Sequence, residues 1–305
     1  MIYTITFNPS LVYYVYLDQE LTEGNILKAK NTSIRAGGKG VNISIVLSQM
    51  GIQSKAILFL GGGIGELIDR EISARQGIEV IPIRISEENR INVKIKNQTE
   101  TAINALGPCV SAGQQDALLA TLNELTKEDY VLISGSFCQG VTAELVEKIG
   151  EQVLKAGARL ITDIPNQKSA NYRKIKPYLI KPNLEELAMI FQNDVNEDNY
   201  PDYAGELIKA GVENVLVSLG RDGAYFANRH KRYQLFGPAV EVINTVGCGD
   251  SMLACTVASL ARHEELTEAL KYGEAAGRAK AKTRGLPSAE DVKQLYEKIE
   301  IREVE

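Results

Sequence analysis

The 305-residue sequence contains no tryptophan, only four cysteines, two histidines and nine prolines. Cys109, Cys138, Cys248 and Cys255 form no Cys-x-x-Cys pair, so neither a zinc knuckle nor a dithiol redox motif is indicated. They are also too few and too scattered for a secreted disulfide framework. Cys248 and Cys255 are seven apart, a spacing one helix face can hold, but the bland reading as small buried apolar residues is preferred. His230 and His263 stand in polar surroundings without a third partner, which leaves a Ser-His-Asp triad unsupported. Long hydrophobic runs are missing: residues 252–261 form the longest and are broken by Thr256 and Ser259. Met1-Ile2-Tyr3-Thr4-Ile5-Thr6-Phe7 lacks the basic and apolar regions of a secretory signal, so a reducing cytoplasm is the expected location. Positive charge is not in excess either. With 34 Lys+Arg against 39 Asp+Glu the net charge is −5, which argues against nucleic-acid binding but permits a local basic pocket.

What the sequence does have is rhythm. Short β-branched runs at 2–7, 56–60, 92–95, 130–134, 159–163, 179–181 and 214–219 predict strands. Helical patterns cover 41–50, 66–76, 111–125, 142–156, 184–191, 203–210, 251–262, 267–284 and 288–299. Four helices run into Gly51, Gly77, Gly157 or Gly211, the left-handed stop of a C-terminal cap, and an apolar strand follows each. Repeated strand–helix–Gly–strand units predict a mostly parallel sheet covered on both faces. Residues 12–35 and 81–108 break the rhythm with period-2 alternation and read as a small β excursion, a lid on a single domain spanning 1–305. In such sheets ligands bind beyond the carboxyl ends of the strands.

Five stretches could carry chemistry. Asn244-Thr245-Val246-Gly247-Cys248-Gly249-Asp250-Ser251 opens an apolar helix, where crowded backbone N–H groups and the helix dipole make an anion hole. Asp250 there either caps the helix or accepts a proton from a bound hydroxyl. Gly37-Gly38-Lys39-Gly40-Val41-Asn42 is not a Walker A loop, because Gly40 stands where Ser or Thr is required. Three glycines around one lysine exceed what a turn needs, so we read a platform on which Lys39 meets a phosphate. Arg90, Asn92 and Lys94 share one strand face and, taken alone, read as a solvated surface. Asn183 and Glu186 fit a capping box; they could also orient water around Mg²⁺. Ser218-Leu219-Gly220-Arg221-Asp222-Gly223 reads as strand, turn, strand, with Asp222-Gly223 as hairpin chemistry. No Gly-x-Gly-x-x-Gly follows a strand, which disfavours a nicotinamide dehydrogenase.

In this order and spacing these stretches, with Lys181-Pro182 and Ser134-Gly135-Ser136, resemble the PfkB (ribokinase-like) carbohydrate kinases over nearly the whole chain, and most of all their 1-phosphofructokinase and tagatose-6-phosphate kinase branches. The resemblance implies a three-layer α/β/α sandwich with a β-sheet lid, ATP and Mg²⁺. Asp250 would be the general base, and the amides of Gly247, Cys248 and Gly249 would receive phosphoryl charge. Gly38, Lys39, Asn42, Arg90 and Lys28 would hold the phosphosugar. Lys181, Asn183, Ser218, Gly220 and Gly223 would contact the nucleotide, and Asn183 and Glu186 would organise the metal through water. A homodimer through the lid sheets is implied as well. The expected reaction is ATP-dependent phosphorylation of fructose 1-phosphate, with tagatose 6-phosphate as the alternative acceptor and a non-catalytic sensor as the competing role. Val12 and Ala102 stand where the family carries acids, and Leu27-Lys28 where it carries Asn-Arg. Valine cannot accept hydrogen bonds from sugar hydroxyls.

Overall fold

The computed structural model describes residues 1–97, 99–165 and 168–304. In chain order the first half runs β1 (Ile2–Thr6), β2 (Ser10–Tyr16), β3 (Asn31–Gly37), α1 (Lys39–Gln49), β4 (Ser54–Leu60), α2 (Gly62–Ser73), β5 (Ile78–Arg84), β6 (Arg90–Lys96), β7 (Glu100–Ile103), α3 (Ala112–Ala120) and β8 (Tyr130–Ser134). Next come α4 (Ala143–Ala156), β9 (Arg159–Asp163), α5 (Ser169–Ile175), β10 (Leu179–Ile180), α6 (Leu184–Phe191), α7 (Tyr200–Lys209) and β11 (Asn214–Ser218). The chain closes with β12 (Ala224–Asn228), β13 (Arg232–Phe236), α8 (Cys248–Ala261), α9 (Leu266–Ala281), α10 (Ala289–Tyr296) and β14 (Glu300–Glu303).

The large sheet has the order β14-β13-β12-β11-β10-β9-β8-β1-β4-β5. From β11 to β5 it is parallel, and β12, β13 and β14 extend it antiparallel. Strand side chains alternate between faces, so each face builds its own core. Tyr3, Ile5, Val131 and Ile133 pack with α3 to α7, whereas Ile2, Tyr130 and Leu132 pack with α1, α8, α9 and α10. This is the expected helix–sheet–helix sandwich. Three of the expected helix stops hold, with Gly51, Gly157 and Gly211 at positive φ at the ends of α1, α4 and α7. Gly77 also takes positive φ but lies in the turn before β5, because α2 already ends at Ser73 with Ala74 as its cap.

The second sheet has the order β3-β2-β6-β7. The excursion expected at 81–108 begins later than the sequence pattern indicated. Residues 81–84 belong to β5, which pairs with β4 in the large sheet. Alternation misled there because an edge strand, like a lid strand, has one wet face.

Candidate active site

Three neighbouring strands of the large sheet end on polar side chains. Asp163 closes β9, Lys181 follows β10 and Ser218 closes β11. The Ser218 N–H donates to the Pro182 carbonyl at 2.9 Å, and a parallel bridge sets Asn183 beside Ser218. A cleft of about 1130 Å³ opens over these ends, roofed by the small sheet. Gly38, Lys39, Asn42, Arg90, Lys181, Asn183, Glu186, Ser218, Gly220, Gly223 and the 247–250 run all line it. Lys28 does not; it is exposed in the β2–β3 connection, where no packing draws its side chain to the cleft.

The anion loop is itself the first turn of a helix. α8 starts at Cys248, three residues before the helix expected at 251–262, because Gly247 takes φ 90° and turns the chain straight into it. The Ser251 N–H already donates to the Gly247 carbonyl at 2.9 Å. The N–H groups of Gly247, Gly249 and Asp250 have no acceptor among the described residues. These are the donors that any helix start leaves over, with the dipole behind them. Cys248 departs from expectation: its N–H is bound to the Thr245 carbonyl at 3.1 Å. The donors facing the cleft are therefore those of Gly247, Gly249 and Asp250.

Asp250 does not cap α8, whose first turn shows no side-chain cap bond. Its Oδ2 instead accepts from Asn42 Nδ2 at 2.7 Å, across to α1. Burial, reinforced by the charge of Asp163, pushes the Asp250 carboxyl up to about 6; the Asn42 bond, Lys39 and Lys181 pull it back. A carboxylate poised there can ionise and still take a proton from an alcohol.

Lys39 is held in two ion pairs at the site. Its Nζ donates to Asp163 Oδ1 at 3.2 Å and to Glu186 Oε1 at 3.1 Å. Burial works to lower its pKa, but Asp163, Glu186 and Asp250 outweigh it and hold the ammonium charged. The capping box at Asn183 is present with both bonds, at 2.7 and 3.0 Å, so Glu186 serves the helix with Oε2 and Lys39 with Oε1. Arg90 and Asn92 also depart from expectation: they are not a solvated face. Arg90 donates to the Ala105 and Asn8 carbonyls at 2.8 and 3.0 Å, and buried Asn92 reaches Ser10. Register places Val12, Arg35 and Asn92 side by side, with Tyr14 beside Lys94, and all five line the cleft.

Asp163 was missed in the sequence pattern. It is buried at the heart of the site, with Lys181 Nζ 3.9 Å and Lys39 Nζ 3.2 Å from its Oδ1, and its Oδ2 has no partner. The available signal was its place at the carboxyl end of a predicted parallel strand. No cluster of three or more His, Cys, Asp or Glu able to cage a metal occurs among the described residues. The orphan Asp163 oxygen and Glu186 still suit a Mg²⁺ held mainly by phosphates and water.

A parallel α/β sheet, a helix-start anion hole and a buried base define a phosphotransferase that uses an alcohol as acceptor. The pfkB family carbohydrate kinase model matches residues 8–292, and the chain belongs to that family. It is 33% identical over 303 residues to 1-phosphofructokinase of Bacillus subtilis, covering 99% of each chain. It is 31% identical over 303 residues to D-tagatose-1-phosphate kinase of Bacillus licheniformis, again covering 99% of each. Phosphofructokinase-2 of Escherichia coli, solved with substrates and products, superposes with a TM-score of 0.89 at 27% identity, over 97% of this chain and 98% of that one.

Proposed function

We propose that this kinase transfers the terminal phosphoryl group of ATP to a hydroxyl of a phosphorylated ketohexose, with fructose 1-phosphate as acceptor. The observation that carries the reading is the Asp250 carboxylate set among unpartnered amides at the floor of the cleft. Asp250 takes the hydroxyl proton, and the alcohol oxygen forms a bond to the γ-phosphorus as the bond to the ADP oxygen breaks. The amides of Gly247 and Gly249 receive charge on the moving phosphoryl group. Mg²⁺ bound with ATP would neutralise phosphate charge, and Asp163 and Glu186 are the residues that would hold it, through water. Ser218, Gly220 and Gly223 line the nucleotide side, with the apolar residues Ala239, Val240 and Val242. Arg35, Arg90 and Lys94 line the acceptor side and favour a substrate that is already anionic. Gly38 and Asn42 frame the reacting hydroxyl.

A tagatose phosphate is the second acceptor, supported by the Bacillus licheniformis relative. The sensor role has Val12 and Ala102 in its favour, but a binder has no use for a buried base beside the amides. Coupled ADP release across a sugar panel tests the reading: turnover is expected with fructose 1-phosphate well above free fructose or ribose. Faster turnover of a free sugar than of any phosphosugar would sink it.

The small sheet supports a homodimer. Its outer face carries Tyr13, Val15 and Val93, with Ile34, Ile91 and Ile103 at 56%, 44% and 57% exposure. A second copy of the same face would cover that patch. No helix among the described residues is long and apolar enough to cross a membrane. We place the kinase in the reducing cytoplasm, where its four thiols stay free.

A further inference from the structure

Lys280 places a positive charge in the interior of the molecule. It lies in the last turn of α9 with 2% of its surface exposed. No carboxylate pairs with it among the described residues. Its Nζ donates instead to two main-chain carbonyls, those of Asn244 and Thr283, each at 3.0 Å. Burial lowers its pKa. An ammonium held in the interior without a counter-ion is costly, so its retention points to a role for the charge.

The two carbonyls belong to the segments that frame the anion hole. Asn244 opens the turn that ends at Gly247, and Thr283 lies just beyond α9. The same two segments meet through the N–H groups of Ile243 and Asn244, which donate to the Ala281 carbonyl at 2.7 and 3.1 Å. Asn244 Nδ2 adds a bond to the Arg284 carbonyl at 3.4 Å. Lys280 closes this junction from the inside. Its Cε stands 3.6 Å from where a Cβ on Gly247 would sit, directly against the left-handed turn that aims the amides. Lys280 is also among the residues that line the cleft, and its charge has the sign a transferring phosphoryl group requires.

We propose that Lys280 is a positioning residue for phosphoryl transfer, its ammonium acting as a built-in cation that locks the 244–247 turn to the segment after α9 and so keeps the Gly247 and Gly249 amides on the moving phosphoryl group. The proposal rests on the kinase reading above.

The Lys280→Met variant retains the length of the stem and removes the charge and its donors. Its kcat is expected to fall roughly tenfold to a hundredfold, at or below the loss seen when an oxyanion donor itself is deleted. The phosphosugar KM should move less than about threefold, because the acceptor side is untouched. Lys280→Arg keeps charge and donors and should retain most of kcat. Lys280→Ala leaves a channel in which ammonium or n-propylammonium chloride should restore rate over sodium chloride at equal ionic strength. Such rescue is not expected of a residue that only packs. A Lys280→Met protein with wild-type kcat overturns the proposal, as does an Ala variant that no cation restores. If Lys280→Met fails to fold, the Arg and Ala variants decide in the same terms. A wild-type protein inactive on every sugar defeats the kinase reading instead. Calorimetric affinity for ADP with aluminium fluoride then reads the role of Lys280 alone: it should weaken about tenfold in Lys280→Met and stay close to wild type in Lys280→Arg, and equal affinity in both variants overturns the proposal.

Discussion

Asp250 is the residue on which the proposed reaction rests. Replacing it with asparagine keeps the shape and removes the base, so kcat should fall roughly a hundredfold to ten-thousandfold, with the ATP KM within about threefold of wild type. Retention of the full rate in a coupled assay would end its role. The pH dependence carries a sign. The base must be ionised, and burial has raised its carboxyl to about 6, so kcat/KM should climb as pH rises through that value and level off above it. Lys39 pulls that value down, so Lys39→Met should move the acid limb to higher pH; an unmoved limb would separate Lys39 from Asp250. Asp250 was legible in the sequence because Gly-Cys-Gly-Asp at a helix entry is a local signal. Asp163 was not, since a lone acid at a strand end gains meaning only from neighbours brought by the sheet, among them Lys39 and Lys181. The carboxylate partners of Lys39 were hidden for the same reason: they lie 124 and 147 residues away.

Among the elements, α9 ties together the side of the cleft that we assign to the nucleotide. Arg278 Nε donates to Glu274 Oε1 at 2.6 Å within the helix, while its other nitrogens reach the Pro238 and Arg221 carbonyls at 2.9 and 3.1 Å. Burial pushes the Glu274 carboxyl up to about 7 against the pull of Arg278. Arg278→Met leaves that acid buried and unpaired, at a cost of about 3–5 kcal/mol. The native-state carboxyl then binds its proton still more tightly than the unfolded chain does. Stability is therefore present at low pH and lost as pH rises through the folded-state value. Urea unfolding should show a larger deficit at pH 8 than at pH 5.5, and an equal deficit at both would contradict this account. Long elements with strong periods, such as α4 and α9, were readable from the sequence. β13 and β14 were not, because Arg232-Tyr233-Gln234-Leu235-Phe236 and Glu300-Ile301-Arg302-Glu303 lie at the sheet's rim, where charge replaces the apolar run.

For the whole molecule, the strand–helix repeat sufficed to foresee a parallel, doubly covered sheet, but not its strand order. Local pattern says which face of a strand is buried and nothing about which strand lies beside it. Association belongs at this scale. Ile34→Asp or Ile91→Lys on the outer face of the small sheet should convert a dimer to a monomer by light scattering, with the fold unchanged by circular dichroism. A wild-type protein that is already monomeric would refute that interface.

β1 lies between β4 and β8, its partners drawn from residues 54–58 and 130–133. During synthesis it therefore emerges long before its second neighbour exists, a wait on the order of ten seconds at ordinary ribosomal speed. Through that interval a stretch of Ile-Tyr-Thr-Ile-Thr has one edge unpaired, which makes it a natural target for nascent-chain chaperones and a hazard for misassembly. Pulse-labelled amides of β1 should gain full protection no earlier than those of β8.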